Sequence, residues 1–437
     1  VKKTIVAALA LSLTATACTP GSGSSSGPAS APSSVRTDAA ALGQVELTVW
    51  DQEVRGGQAA QMTAQIKAFE AKYPNIKIKR VSRSFDDLKT TLRLALSGND
   101  APDVVQANNG RSDMGEFVKA GQLVPLDKWA SAYKWGERYP DSVLQYSRYS
   151  ADGKTFGEGN LYGLPQVGEV VGIYYNKTKV AKPPASWAEF EAELDKAKQA
   201  GDVPLQFGNL DKWPAIHVFG TVLDNYALPD QITKLAFGRP GATWTTPEKQ
   251  QAAEVLVSWA DNGYFPKGFN GQGYDPAWQE FGKGKGTFLI AGTWLQADLQ
   301  KALGDKVGFM LPPGTKSVTG GTGLPFGITN KSKNPDAAAA YINFITSPDA
   351  MKTLTSTGNL PIADIAAQQA PAGLAGDIFK GFGTAVDSGL LVPYLDYATP
   401  TMYDTIGAAL QDLLAKKATP QQFLDKLEAD YSKFAGK

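Results

Sequence analysis

The residues best suited to chemistry in this chain are carboxylates and tryptophans set beside short apolar segments. Asp51 and Glu53 follow the run Val45–Trp50, and Asp103, Glu169, Asp211, Asp275 and Asp396 occupy comparable positions further on. Two such carboxylates can hydrolyse a glycosidic bond without any histidine. The same groups can also accept hydrogen bonds from sugar hydroxyls and do no chemistry, and residue types alone leave both readings open. The tryptophans favour a carbohydrate in either case, because sugar C–H faces stack on indole rings while hydroxyls need polar partners at the edge. Trp213 closes Asn209-Leu-Asp-Lys-Trp213, Trp278 follows Tyr274-Asp-Pro, and Trp294 closes Ala291-Gly-Thr-Trp294. All three read as strand-end loops, where open α/β sheets bind ligands. Core packing is the competing role for each ring taken alone.

Other chemistries fail for want of residues. Cys18 is the only cysteine and His217 the only histidine, so no disulfide within the chain and no Cys- or His-rich metal site is expected. A Ser-His-Asp arrangement would need His217, whose setting Trp213-Pro-Ala-Ile-His-Val-Phe219 is apolar and predicts a packing role. Gly153-Lys-Thr155 ends like a phosphate loop, but Arg148 stands where the leading glycine belongs. Gly282, Gly284 and Gly286 precede a strand instead of following one, and Gly320-Gly-Thr-Gly323 suits a turn. No nucleotide, cofactor or metal is expected. Lys+Arg and Asp+Glu both number 43, which gives no basic footprint for nucleic acid.

Elements that alternate between strand and helix must position these residues. Val45, Leu47 and Val49 alternate with polar neighbours and predict a strand; Met62, Ile66, Phe69 and Tyr73 predict a helix. A strand at 75–79, a helix at about 85–96 and a strand at 102–106 follow. The pattern resumes with a strand over 168–176 and a helix opened by the capping box Ser186-Trp-Ala-Glu189. Further strands are predicted at 205–208, 286–291 and 307–311, and helices from Pro247, over 335–345 and through the tail. This order implies an α/β protein with mainly parallel sheet, and 437 residues suffice for two domains.

The N-terminus reads as an export signal. Residues 1–18, VKKTIVAALALSLTATAC, combine two lysines, an apolar run and small residues up to Cys18. Ala15-Thr-Ala-Cys18 resembles a lipobox, so Cys18 is the expected lipidation site and the membrane is reached through that lipid. Residues 19–41 are rich in Gly, Ser, Pro and Ala, and predict a flexible tether.

Taken together, LTVW (47–50), AFEAKYPNIKIKRV (68–81), LKTTLRLALSGNDAPDVV (88–105), GQLVPLD (121–127), YGLPQVGEVVGIYYNK (162–177), PASWAEFEAELDKAK (184–198), FGKGKGTFLIAGTW (281–294) and GLPFGITNKSKNPDAAAAYINFITSPDAM (323–351) resemble the extracellular solute-binding proteins of family 1. These are the carbohydrate-binding components of ABC importers. The resemblance implies a two-lobed periplasmic-binding-protein-like fold of type II, with the ligand cleft between the lobes. Lobe one is expected over 42–166 plus 321–360, and lobe two over 167–320 plus 361–437. It implies a monomer without catalytic activity, on the extracellular face of the bacterial cytoplasmic membrane. The protein would capture a di- or oligosaccharide by hinge closure and deliver it to transmembrane permease subunits. A non-sugar receptor of the same fold and a secreted glycosidase are the alternatives. Ligand positions carried over are Asp51, Glu53, Arg83, Asn108 and Asn109 from lobe one. Glu169, Asn209, Asp211, Trp213, Trp278 and Trp294 come from lobe two, with Gly321, Tyr394 and Asp396 added.

Overall fold

A computed structural model describes residues 29–363 and 371–436; Cys18, the leader and the start of the tether lie outside the described residues. The strand Val45–Asp51 buries Val45, Leu47, Val49 and Asp51 and exposes Glu46, as its alternation requires. It pairs in parallel with Ile76–Ser82 on one edge and Val104–Gln106 on the other, and Phe326–Ile328 joins antiparallel beyond the latter. Helices Gly56–Lys72 and Pro335–Ile345 pack with this sheet and with one another, and Pro348–Ser356 packs against both helices.

A second sheet is built on Gly168–Asn176, whose nine residues are all buried. This strand runs antiparallel to Phe288–Gly292, Val307–Met310 and Val318–Thr322. The two-residue strands Leu205–Gln206 and Leu391–Val392 add in parallel to Phe288–Gly292 and Val318–Thr322. The expected parallel order therefore holds for the first three strands and not here. Alternation of strand and helix does not fix direction, because a helix can return the chain to either end of a sheet. Helices Trp213–Asp224, Pro247–Asp261, Met402–Leu414 and Pro420–Ala435 form a cluster beside this second sheet.

The chain passes between the sheets three times, and the crossings run side by side. Gly168 N–H donates to Leu360 O at 2.8 Å, Gly323 N–H to Val167 O at 3.0 Å, and Ile362 N–H to Gln166 O at 3.1 Å. Gly321 still pairs with Glu169 in the second sheet, and the chain rejoins the first sheet at Phe326. Residues at the end of the expected tether lie on the body: Lys128 Nζ donates to Ser33 O at 2.9 Å, Arg36 pairs with Asp336 at 3.4 Å, and Ala39 is 2% exposed.

Candidate functional site

A cleft of about 680 Å³, counting its open mouth, is lined from both sheets. Gln52, Arg55, Gln58, Phe85 and Asn108 reach it from the first side; Glu169, Trp213, His217, Trp294, Tyr394 and Asp396 reach it from the second. Trp294 sits where its sequence neighbours predict, in the turn Thr293–Leu295 straight after the strand Phe288–Gly292. Its Nε1–H donates to Tyr274 Oη at 2.7 Å. The ring folds over Gly292, where an added Cβ would lie 2.0 Å from it, so this approach requires glycine.

Trp213 departs from the expectation of a loop: it is the first residue of the helix Trp213–Asp224 and is 9% exposed. Pro214 follows at the start of that helix, where its missing N–H costs nothing, and Asn209 Oδ1 accepts from Ala215 N–H at 3.1 Å. His217, one turn along, stands 5.3 Å from both the Trp213 and Trp294 rings and 5.4 Å from Tyr394. The Trp213 and Trp294 planes meet at 68°. Together these rings make a continuous aromatic wall with two differently inclined faces. Burial pushes the imidazole down to about 3, which keeps it neutral near pH 7.

Carboxyl groups sit at the edge of this wall. Tyr394 Oη donates to Glu169 Oε2 at 3.2 Å. Burial, helped by the nearby Glu53 carboxyl, pushes Glu169 up to about 8. Glu53, which accepts from Gln106 Nε2 at 2.7 Å, is pushed up to about 7 by its own burial. Asp396 is pushed up to about 6 by burial. For Glu169 the folded state binds its proton more tightly than the unfolded chain does. Its contribution to stability is therefore full below about 4.5 and lost as pH rises through about 8. The melting temperature of the sugar-free protein should fall across that window, and Glu169→Gln should flatten the fall; an unchanged profile in the variant would contradict this environment for Glu169.

Six of the positions named from sequence share the cleft wall: Asn108, Glu169, Trp213, Trp294, Tyr394 and Asp396. The other eight have other settings. Asp51 is fully buried and paired with Arg80 Nη2 at 2.7 Å. Glu53 lies buried against Gln106. The Arg83 guanidinium stacks 4.5 Å from the centre of the Trp50 ring. Asn109 Nδ2 donates to Tyr146 O at 2.8 Å, and Gly321, at φ +140°, faces the Tyr146 ring. Asn209 caps the Trp213 helix, and Asp211 accepts from Tyr274 N–H at 2.7 Å. Trp278 lies within the helix Tyr274–Gly282, not in a loop, and donates to Asp275.

The cleft also uses residues that sequence reasoning missed, chiefly Arg55, Gln58, Phe85, His217, Tyr397 and Tyr403. For His217 a signal existed, since it falls one helical turn after Trp213. Arg55 Nε and Gln58 Oε1 are buried and find no hydrogen-bond partner among the described residues. Unmet groups of this kind are costly unless a ligand or water meets them.

The bacterial extracellular solute-binding protein model matches residues 64–377, most of the folded region. The chain belongs to that family. This binding protein is 27% identical to an uncharacterized ABC transporter extracellular-binding protein of Pyrococcus horikoshii, over 95% of the chain and 91% of the relative. It is 26% identical to the multiple sugar-binding protein of Streptococcus mutans, over 68% and 70% respectively. Among solved structures, a chitin oligosaccharide binding protein superposes with a TM-score of 0.77 at 22% identity, covering 90% of this chain and all of that one. The maltotriose binding protein of Thermus thermophilus, bound with maltotriose, gives 0.67 at 20% identity over 89% and 99%. These structures share the two-lobed α/β fold of the binding protein.

Proposed function

We propose that this protein is the extracellular substrate-binding component of a carbohydrate ABC importer. It captures a di- or oligosaccharide between its lobes and releases it to permease subunits without chemical change. The observation that carries this reading is the composition of the cleft wall. Inclined Trp213 and Trp294 faces offer stacking surfaces, and the buried Arg55 Nε and Gln58 Oε1 beside them are a donor and an acceptor with nothing to bond. A hydroxyl-rich ring ligand meets both needs at once. A peptide or polyamine would be better served by a cage of charges than by two indoles. The sugar names of the Streptococcus and Thermus relatives point the same way.

The lobes proposed here keep the expected bounds, with the middle crossing moved to just after Thr322. The three hydrogen-bonded crossings support a hinge, and hinge closure is the repertoire of two-lobed binding proteins. Lipid attachment at Cys18 and a monomeric state belong to the same proposal; Cys18→Ser should abolish incorporation of labelled fatty acid, and retained label would contradict it. The ligand itself is tested by a thermal-shift screen over about thirty mono- and oligosaccharides, amino acids and polyamines. Stabilisation should be confined to sugars, by roughly 2.7 kcal/mol at a hundredfold excess over Kd. Stabilisation by polyamines or amino acids alone would overturn the sugar reading.

A further inference from the structure

Helix Gly56–Lys72 of the first lobe lacks a cap of its own. Arg55 holds the N-cap position and its side chain makes no capping hydrogen bond, and the helix has no acidic residue of its own in the first turn. Free N–H groups at a helix start attract a carboxylate. One comes from the other lobe. Asp298 belongs to helix Gln296–Leu303, which packs against the second-sheet strand Val307–Met310. A Cβ added to Gly56 would lie 2.7 Å from Asp298 Oδ1. Burial raises the pKa of that carboxyl, against the lowering pull of the nearby Arg55 and of the Gly56 N–H, and its Oδ2 is buried without a hydrogen-bond partner among the described residues. Beside it, Arg55 Nη2 donates to Asp275 Oδ1 at 2.8 Å, and the same oxygen accepts from Trp278 Nε1 at 2.8 Å. The lobes come so close here that a Cβ on Gly57 would fall 2.4 Å from that of Ala297.

We propose that Asp298 and Asp275 form a latch: the second lobe caps the helix Gly56–Lys72 in trans and clamps Arg55 at the cleft wall, so that closing is favoured by contacts outside the sugar itself. The latch rests on the sugar-binding reading given above. It makes Asp275 a positioning residue, because the ion pair occupies Nη2 and leaves Nε to the cleft. It also gives Trp278 a place, holding Asp275 from behind.

Gly56→Ala separates this latch from folding. Gly56 is not in the left-handed region, alanine is the better helix former, and the only atoms an added Cβ would crowd belong to Asp298. With the best sugar from the screen, Gly56→Ala and Asp298→Ala should each weaken binding about fivefold, the usual worth of an N-cap. The loss should come as faster release in stopped-flow, with the sugar-free melting temperature unchanged. Because both act on one contact, the double variant should release no faster than Asp298→Ala alone. Asp275→Asn should weaken binding and remove part of its dependence on salt. A wild-type protein that closes on sugar, shown by a smaller radius of gyration, while the variants release at its rate would overturn the latch and leave the sugar reading standing. A wild type that neither binds nor contracts with any sugar overturns that reading and the latch with it.

Discussion

Trp294→Ala is expected to weaken sugar binding at least ~30-fold while the melting temperature of the sugar-free protein barely moves. An aromatic anchor in a binding cleft is worth about 2 kcal/mol or more on truncation, which corresponds to that factor. The indole is part-exposed on the cleft wall, and its one polar atom is tied to Tyr274. The turn that carries it is anchored separately, since Leu295 and Leu299 are both 0% exposed. Removing the ring therefore strips a stacking face and leaves the underlying packing in place. Were the indole a core residue, the same change would cost about 3–5 kcal/mol of stability. Calorimetry together with a melting curve separates the two: a large fall in the sugar-free melting temperature with normal affinity would contradict the platform role. Trp213 makes a useful contrast. It is more deeply buried, lies 4.4 Å from the Tyr274 ring and starts a helix, so Trp213→Ala should lose both affinity and stability.

Asp51→Ala should do the reverse. Its carboxylate is fully buried and takes both Arg80 Nε and Nη2 at 2.7 Å, and it also accepts from Glu53 N–H at 2.9 Å. Removing one partner of such a pair leaves a charge without compensation, which typically costs about 3–5 kcal/mol. Arg80 retains some exposure, so the lower end, about 3 kcal/mol, is expected. Denaturant unfolding should show that loss. The protein that remains folded should bind its sugar with nearly the wild-type affinity, and a specific affinity loss without destabilisation would return Asp51 to the cleft.

Asp51 also shows why the fold was legible in the sequence and the site less so. The alternation Val45, Leu47, Val49 that identified the strand already placed Asp51 on the buried face, one period further on. Reading it as a ligand residue required the strand to have ended before it. Local periodicity, capping at Ser186 and the proline starts at Pro247 and Pro335 placed the elements they predicted to within a few residues. Trp294 was legible for the same reason: a strand, a glycine and a ring in immediate succession. Arg55, Gln58 and Phe85 were not, because they owe their place in the cleft to the way the lobes meet. Asn209 and Asp211 lie beside Trp213 in sequence, yet their side chains are used to hold the Trp213 and Tyr274 helices. Polar residues near a site divide between touching a ligand and fixing the residues that do, and spacing alone does not distinguish them.

The central claim is that the cleft binds a sugar and returns it unaltered. The most direct test is calorimetry of the full chain with the best sugar from the screen, followed by chromatography of the same mixture after several hours. The expected result is one sugar per chain at roughly micromolar affinity, about −8 kcal/mol, with the oligosaccharide recovered intact and binding weakened by Trp294→Ala. Steady accumulation of shorter sugars, abolished when Glu169 and Asp396 are both replaced by their amides, would contradict it.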